Sequence, residues 1–145
     1  MTTTRASGAA PQTDYRVLQA LDYHLAIASD MRSQVKQAHW TVVGPNFIAV
    51  HRLFDEQAVL LTAHIDLFAE RMRALQALPD GTVRRAAEAS DLPEMEVREL
   101  PEAEAIREVL DRFERYSRSL TEAIEQCEQA EDRSTQDLFI EVQRE

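Results

Sequence analysis

The chain has 145 residues, enough for one domain with a sizeable core, and its three glycines and five prolines suit an all-α protein. Its formal net charge of −10 argues against a generally nucleic-acid-binding surface and would instead draw cations. The single Cys127 excludes an internal disulfide, no apolar run reaches membrane-spanning length, and the N-terminus lacks the apolar stretch of a signal peptide; all three suit a reducing cytoplasm.

Residues 1–12 are small and polar, with Gly8 and Pro11, and read as a flexible tail; residues 13–145 read as one bundle. The tail carries only Arg5, a weak signal for DNA. A first helix is predicted from Thr13 or Asp14, with Leu18, Leu21, Leu25, Ala28, Val35 and Val42 as its inner stripe. His39 falls in register with that stripe, where a histidine is more often a satisfied core or rim residue than a ligand. Gly44-Pro45 breaks this helix, and Asn46 can cap the next, so the two should run antiparallel.

The second helix is predicted to end between Leu75 and Leu78, before the Pro79-Asp80-Gly81 turn. Phe47, Phe54, Leu61, Ile65, Phe68, Met72 and Leu75 form its core stripe. The linker from Thr82 to Leu100 holds a possible short helix, Val83 to Ala89. A third long helix should start with Pro101 in its first turn and reach about Ala130, with Ile106, Leu110, Phe113, Leu120, Ile124 and Cys127 facing inward. Asp132 or Ser134 can cap a fourth helix carrying Leu138, Phe139 and Val142, which is cut short at residue 145 beside much longer partners.

The second helix carries the chemistry. His51/Asp55 and Asp66/Glu70 are two (i, i+4) pairs on one face, within an arc of about 100° that a plain amphipathic helix would leave to solvent. Asp55 and Asp66 stand eleven residues apart, roughly 16 Å along the axis, too far for one metal site within one helix. Two antiparallel copies related by a dyad remove the difficulty. Residue numbers 51 and 70 share their sum with 55 and 66, so a crossing near Leu60 and Leu61 sets each pair against the other pair of the partner copy, twice. Ala58, Thr62, Ala63 and Ala69 along or beside this face permit a close approach. Imidazole nitrogen with carboxylate oxygen suits Fe(II), Mn(II) or Zn(II) better than calcium or a thiolate-seeking metal. Solvated acids on an exposed helix are the competing reading, and spacing alone leaves the two level. The Glu-x-x-His pattern of an intrasubunit di-iron site is absent.

His39-Trp40, Gly44, Phe47, His51, Phe54-Asp55 and Asp66 followed by Ala69-Glu70-Arg71 resemble the central motif of the Dps family, the ferritin-like mini-ferritins. The segment Asp132-x-x-Thr135-x-Asp137-Leu138 also resembles the start of that family's last helix, so the resemblance covers the chain from about Leu18 to Glu145. It implies a ferritin-like four-helix bundle with a short helix in the crossover between the second and third long helices. It also implies a homo-oligomer, a hollow dodecamer built from two-fold dimers. The implied site is an iron (Fe2+/Fe3+) centre, a di-iron ferroxidase site shared between two subunits: His39, His51 and Asp55 from one, Asp66 and Glu70 from its mate. Trp40 and Lys36 would stand beside it, Lys36 against a carboxylate, while His64 falls on another face as a structural or surface histidine.

The implied activity is that of an iron-storing, iron-detoxifying ferroxidase in the cytoplasm, oxidising Fe(II) with hydrogen peroxide and protecting DNA from oxidative damage. Iron entry would pass acidic pores near Asp132, Asp137 and Glu141, although capping explains Asp132 equally well. The chain departs from the family pattern in four places: Thr41 where many relatives have Asn, Gln76-Ala77 in place of a Gly-rich helix end, no Lys-rich tail, and the short last helix. Two rival readings are a DNA-compacting, nucleoid-associated protein, which the charge and the tail oppose, and a structural helical oligomer without metal chemistry.

Overall fold

A computed structural model describes residues 14–145; the tail expected over residues 1–12 lies outside them, as does Thr13. The chain forms α1 (Tyr15–Thr41), β1 (Val42–Val43), α2 (Phe47–Ala74), α3 (Val83–Ala89), β2 (Leu100–Pro101), α4 (Glu102–Gln129) and α5 (Arg133–Arg144). The four helices α1, α2, α4 and α5 make the expected ferritin-like bundle, and α3 lies in the crossover where the sequence places it.

Each boundary has a local cause. Asp14 caps α1 by accepting from the Arg16 amide at 2.9 Å. α1 stops at Thr41 because Val42 and Val43 turn into a two-residue parallel ladder with Leu100 and Pro101, which the sequence did not announce. Pro101 therefore sits at the cap position of α4 and not in its first turn. Asn46 occupies the cap position of α2 without a side-chain bond into that helix. Its amide N and side-chain Nδ2 instead donate to the two Glu102 carboxylate oxygens, each at 2.9 Å, tying the start of α2 to the start of α4. Gly44 makes the approach possible: its φ is +152°, and a Cβ there would stand 2.8 Å from the Glu102 carboxyl carbon.

α2 ends at Ala74, a little before the predicted range. Gln76 adopts a φ of +64°, while the Gln76 amide bonds the Arg73 carbonyl and the Ala77 amide the Met72 carbonyl. Glu131 repeats this arrangement at the end of α4, with φ +57° and amide bonds from Glu131 to Glu128 and from Asp132 to Cys127. These are Schellman endings built on residues other than glycine.

The core runs through all four bundle helices: Leu21, Leu25, Met31 and Val35 of α1, Phe54, Leu61 and Phe68 of α2, Leu120 and Cys127 of α4, and Phe139 of α5. In α1, Val17 is buried and the predicted Leu18 only half-buried. Phe47, Ile65 and Leu75 of α2 are likewise more open than predicted. In α4 the register differs more. Ala105, Val109, Arg112, Tyr116, Leu120, Ala123 and Cys127 are buried, while Ile106 and Leu110, expected inside, are 41% and 53% exposed.

The reason lies in α5. Its Gln143 side chain bonds the Ser117 carbonyl and the Thr121 hydroxyl, and its Thr135 and Asp132 bind Arg71 near the end of α2. It therefore covers the C-terminal halves of α2 and α4. The strip that continues towards their N-terminal halves, holding Leu53, Ile106 and Leu110, is uncovered.

The crossover is held against α1 and α4 by specific polar contacts. Arg85 pairs with Asp22, and the Tyr23 hydroxyl donates to Asp91 at 2.8 Å. Buried Arg112 donates to the Gln34 side-chain oxygen and to the Pro93 and Glu108 carbonyls at 2.7–2.9 Å. Among the described residues no helix is long and apolar enough to cross a membrane.

Candidate metal centre

The end of α1 meets the start of α2, because only the short β1 and the Gly44 turn separate them, and this brings His39 beside His51. The His39 Nδ1–H donates to the His51 carbonyl at 2.7 Å, and the His51 Nδ1–H donates to the His39 carbonyl at 2.8 Å. The two rings stack, with centroids 3.6 Å apart and planes 20° off parallel, and Phe47 lies against His51 at 4.9 Å.

A carbonyl oxygen can only accept, so each Nδ1 carries the hydrogen. In the neutral form of each ring the lone pair therefore falls on Nε2. Metal-binding histidines are ordinarily oriented in this manner, with the second nitrogen donating to a backbone carbonyl. The donor set of two imidazole nitrogens beside a carboxylate fits Fe(II) and its neighbours in the first transition row.

Asp55 lies one turn along from His51 and is exposed. Its carboxyl is held below the usual carboxylate range, first by a hydrogen bond from Lys36 and then by that ammonium's charge, with smaller contributions from His39 and His51. The Lys36 Nζ stands 2.7 Å from Asp55 Oδ1 and 5.7 Å from the centre of the Trp40 ring. Trp40 is 67% exposed. Together with Arg32, Gly81, Val83 and Ala86 these two side chains line a recess of about 600 Å³ between α1 and α3.

Asp66 and Glu70 lie further along the same outward face of α2, exposed and in none of the ion pairs of the described residues. Val59 and Thr62, between the two acidic pairs, are exposed with them, whereas Ala58 turns into the core. Among the described residues of a single copy, no three His, Cys, Asp or Glu side chains converge as a metal-holding group. The fold thus brings His39 and His51 into contact, with Asp55 one helical turn further along α2 and held by Lys36, and leaves Asp66 and Glu70 towards the other end of that helix.

The remaining histidines are structural. His64, buried, has Nε2 3.0 Å from the Glu145 carboxylate and Nδ1 3.3 Å from the Tyr116 hydroxyl. His24 stands among Tyr23, Phe68, Tyr116 and Phe139, its Nδ1 2.7 Å from the Ala20 carbonyl and its Nε2 3.1 Å from Ser119 Oγ. Burial pushes its pKa down to about 4.

Of the acids considered for a pore, Asp132 is engaged: it caps α5 through the Thr135 amide and pairs with Arg71 at 3.1 Å. Asp137 and Glu141 are exposed on α5. Sequence reasoning missed two features. One is the reciprocal bonding of His39 and His51, since no spacing rule pairs residues from two helices. The other is the Glu102 stitch that sets the turn between those helices.

Comparison with known proteins agrees with this architecture. The family model of the ferritin-like domain matches residues 18–145. The DNA protection during starvation protein of Agrobacterium fabrum is 29% identical over 128 residues, taking in 88% of this chain and 79% of that protein. The protein of the same name from Mycolicibacterium smegmatis is 37% identical over 57% of this chain, so the match spans about half of that relative, 45% of its length. Among solved structures, that of Dps from Microbacterium arborescens in the high iron form superposes with a TM-score of 0.86 at 28% identity, covering 94% of this chain and 88% of that one. The chain belongs to the Dps family of ferritin-like proteins.

Proposed function

We propose that the chain is an iron-storing ferroxidase that works as a homo-oligomer, each iron pocket being shared between two copies across a dyad. The observation that carries this reading is the mutual carbonyl bonding of His39 and His51, which leaves the Nε2 of each ring free to take a metal. An antiparallel copy of α2 would bring its Asp66 and Glu70 to this half-site, and the exposed face with Val59 and Thr62 at its centre is free to receive it. The high-iron form of the Microbacterium arborescens relative supports iron as the substrate. The names of the Agrobacterium and Mycolicibacterium relatives support a part in protecting DNA.

In this reading two Fe(II) ions bind per shared pocket and give one electron each to hydrogen peroxide, which with two protons becomes two waters. The product Fe(III) is harder, so the carboxylates stabilise it, while the small number of nitrogen ligands lets it leave. It then hydrolyses with release of protons and is stored as ferric mineral inside a cage, for which a dodecamer in the cytoplasm is the proposed form. Asp137 and Glu141 are the acids of α5 free to guide iron inward. Consuming Fe(II) and peroxide together suppresses hydroxyl-radical formation.

Asp66→Ala/Glu70→Ala and His51→Ala/Asp55→Ala are each expected to lower Fe(II) oxidation by about tenfold to a hundredfold. Refolding the two double variants together should restore activity, because random pairing rebuilds about a quarter of the pockets intact. Unchanged rates in the double variants defeat the enzymatic reading, and failure of the mixture to recover defeats the shared pocket. A DNA-compacting role is tested by gel shift at low salt, where binding to phosphate would be strongest.

A further inference from the structure

Asp80 is the one aspartate of the chain that is followed by glycine. Asp80, Gly81 and Thr82 are all exposed, in the irregular segment between α2 and α3. The Asp80 side chain folds back along the main chain: its Oδ1 accepts from the Thr82 amide at 3.1 Å, which carries the carboxyl past the Gly81 nitrogen. Among the described residues the Gly81 amide makes no backbone hydrogen bond. A Cβ on Gly81 would meet nothing nearer than a Leu25 methyl at 4.0 Å, so a ring has room to close there.

We propose that Asp80-Gly81 is a self-modifying site, at which the Gly81 nitrogen closes on the Asp80 side-chain carbonyl and the ring reopens as isoaspartate, loosening α3 from α1. In the first step the nitrogen bonds to Cγ of the carboxyl in its acid form. The carboxyl hydroxyl leaves with the amide hydrogen as water, and the product is a succinimide. In the second step water adds to one of the two ring carbonyls. Addition at the side-chain carbonyl restores aspartate; addition at the main-chain carbonyl leaves the chain running through Cβ and Cγ, with the old main-chain carbonyl now a free carboxylate. Neither step needs an oxidant, a metal or an enzyme. Hydrogen bonds from the Thr82 hydroxyl and amide hold the Asp80 carboxyl below the usual carboxylate range, which keeps the acid form scarce and the conversion slow. The modification therefore marks the age of the molecule.

Its position gives the change an effect. Thr82 caps α3 by accepting from the Arg85 amide, and Arg85 pairs with Asp22 of α1. An extra main-chain atom at residue 80, with loss of the bond to Thr82, displaces this cap. No other position combines these features: the remaining aspartates precede larger side chains, and the one asparagine, Asn46, precedes Phe47.

The test ages the whole chain in warm, mildly acidic buffer. Isoaspartate is mapped by mass spectrometry of peptides and by methyl transfer from an isoaspartyl-specific carboxyl methyltransferase. It should gather at Asp80 and at no other aspartate. Gly81→Ala, for which the fold has room, should slow its formation by about tenfold, because the added methyl crowds the attacking nitrogen. Asp80→Asn, whose neutral side chain expels ammonia in place of water, should convert faster in the folded protein. Hydrogen exchange of the α3 amides should be faster in the converted fraction than in fresh protein. Isoaspartate absent from Asp80 in the aged wild type, or Asp80→Asn that stays intact when folded while it converts in urea, overturns the site. Equal exchange in fresh and converted protein overturns the loosening of α3.

Discussion

The rings of His39 and His51 lie face to face, 3.6 Å apart, and each hands its Nδ1 hydrogen to the other's backbone carbonyl. The pair is thereby a single unit: removing either ring frees the carbonyl and the orientation of the other. His39→Ala and His51→Ala should each reduce Fe(II) oxidation by about tenfold or more, and the double variant should lose little beyond the worse single one. Initial rates of Fe(III) formation measure this. Losses that multiply in the double variant would show two independent side chains and contradict the coupling.

Gln76 and Glu131 hold left-handed backbone conformations that an L side chain adopts at a cost. Gln76→Gly and Glu131→Gly are expected to stabilise the fold by roughly 0.5–1 kcal/mol each, the relief being partly offset by the greater freedom of glycine in the unfolded chain. Gly44→Ala should do the opposite, since its Cβ would collide with the Glu102 carboxyl group. Chemical denaturation midpoints decide all three.

His24 makes stability depend on acidity. Its folded pKa is about 4 against an ordinary value of 6.5, so between those limits the unfolded chain binds a proton that the folded chain refuses. Stability should therefore fall as the pH drops through this window, by about 1.4 kcal/mol per pH unit from this group. The hydrogen-bonded carboxylates Asp14, Asp55, Asp80 and Asp132 have folded values lowered from 3.8, so their contributions fade below this window. Urea midpoints at pH 7, 6 and 5 should slope for the wild type and slope less steeply for His24→Gln, the remainder coming from buried His64, whose pKa burial also lowers. Parallel slopes in the two would remove His24 as the cause.

Leu110 and Leu120 separate sequence pattern from structure. Both are apolar positions of α4, yet one is 53% exposed and the other 1%. Leu120→Ala should cost about 2–5 kcal/mol through the cavity it leaves, and Leu110→Ser within about 0.5 kcal/mol. A large loss for Leu110→Ser, measured on this chain, would mean that the strip beyond α5 is covered in solution.

The helices, the family, and the face that carries the metal-capable groups are legible in the order of residues alone. Helix periodicity, Gly44-Pro45, Pro79-Asp80-Gly81 and Asp132 are local signals, and local signals survive without knowledge of the partner helix. The shared sum of positions 51, 70, 55 and 66 was legible for the same reason, being a property of one helix and its copy. The rest depends on contacts between segments distant in the chain. Ile106 and Leu110 share a stripe with Phe113 and Leu120 and so read as core, but burial requires an opposing surface, and α5 provides it over only half the length of α4. The pairing of β1 with β2, the Glu102 stitch, the crossing of Lys36 to Asp55 and the mutual bonds of His39 and His51 each join residues from different elements. Their geometry is set by how the helices pack, and a pattern read along one helix holds no record of it.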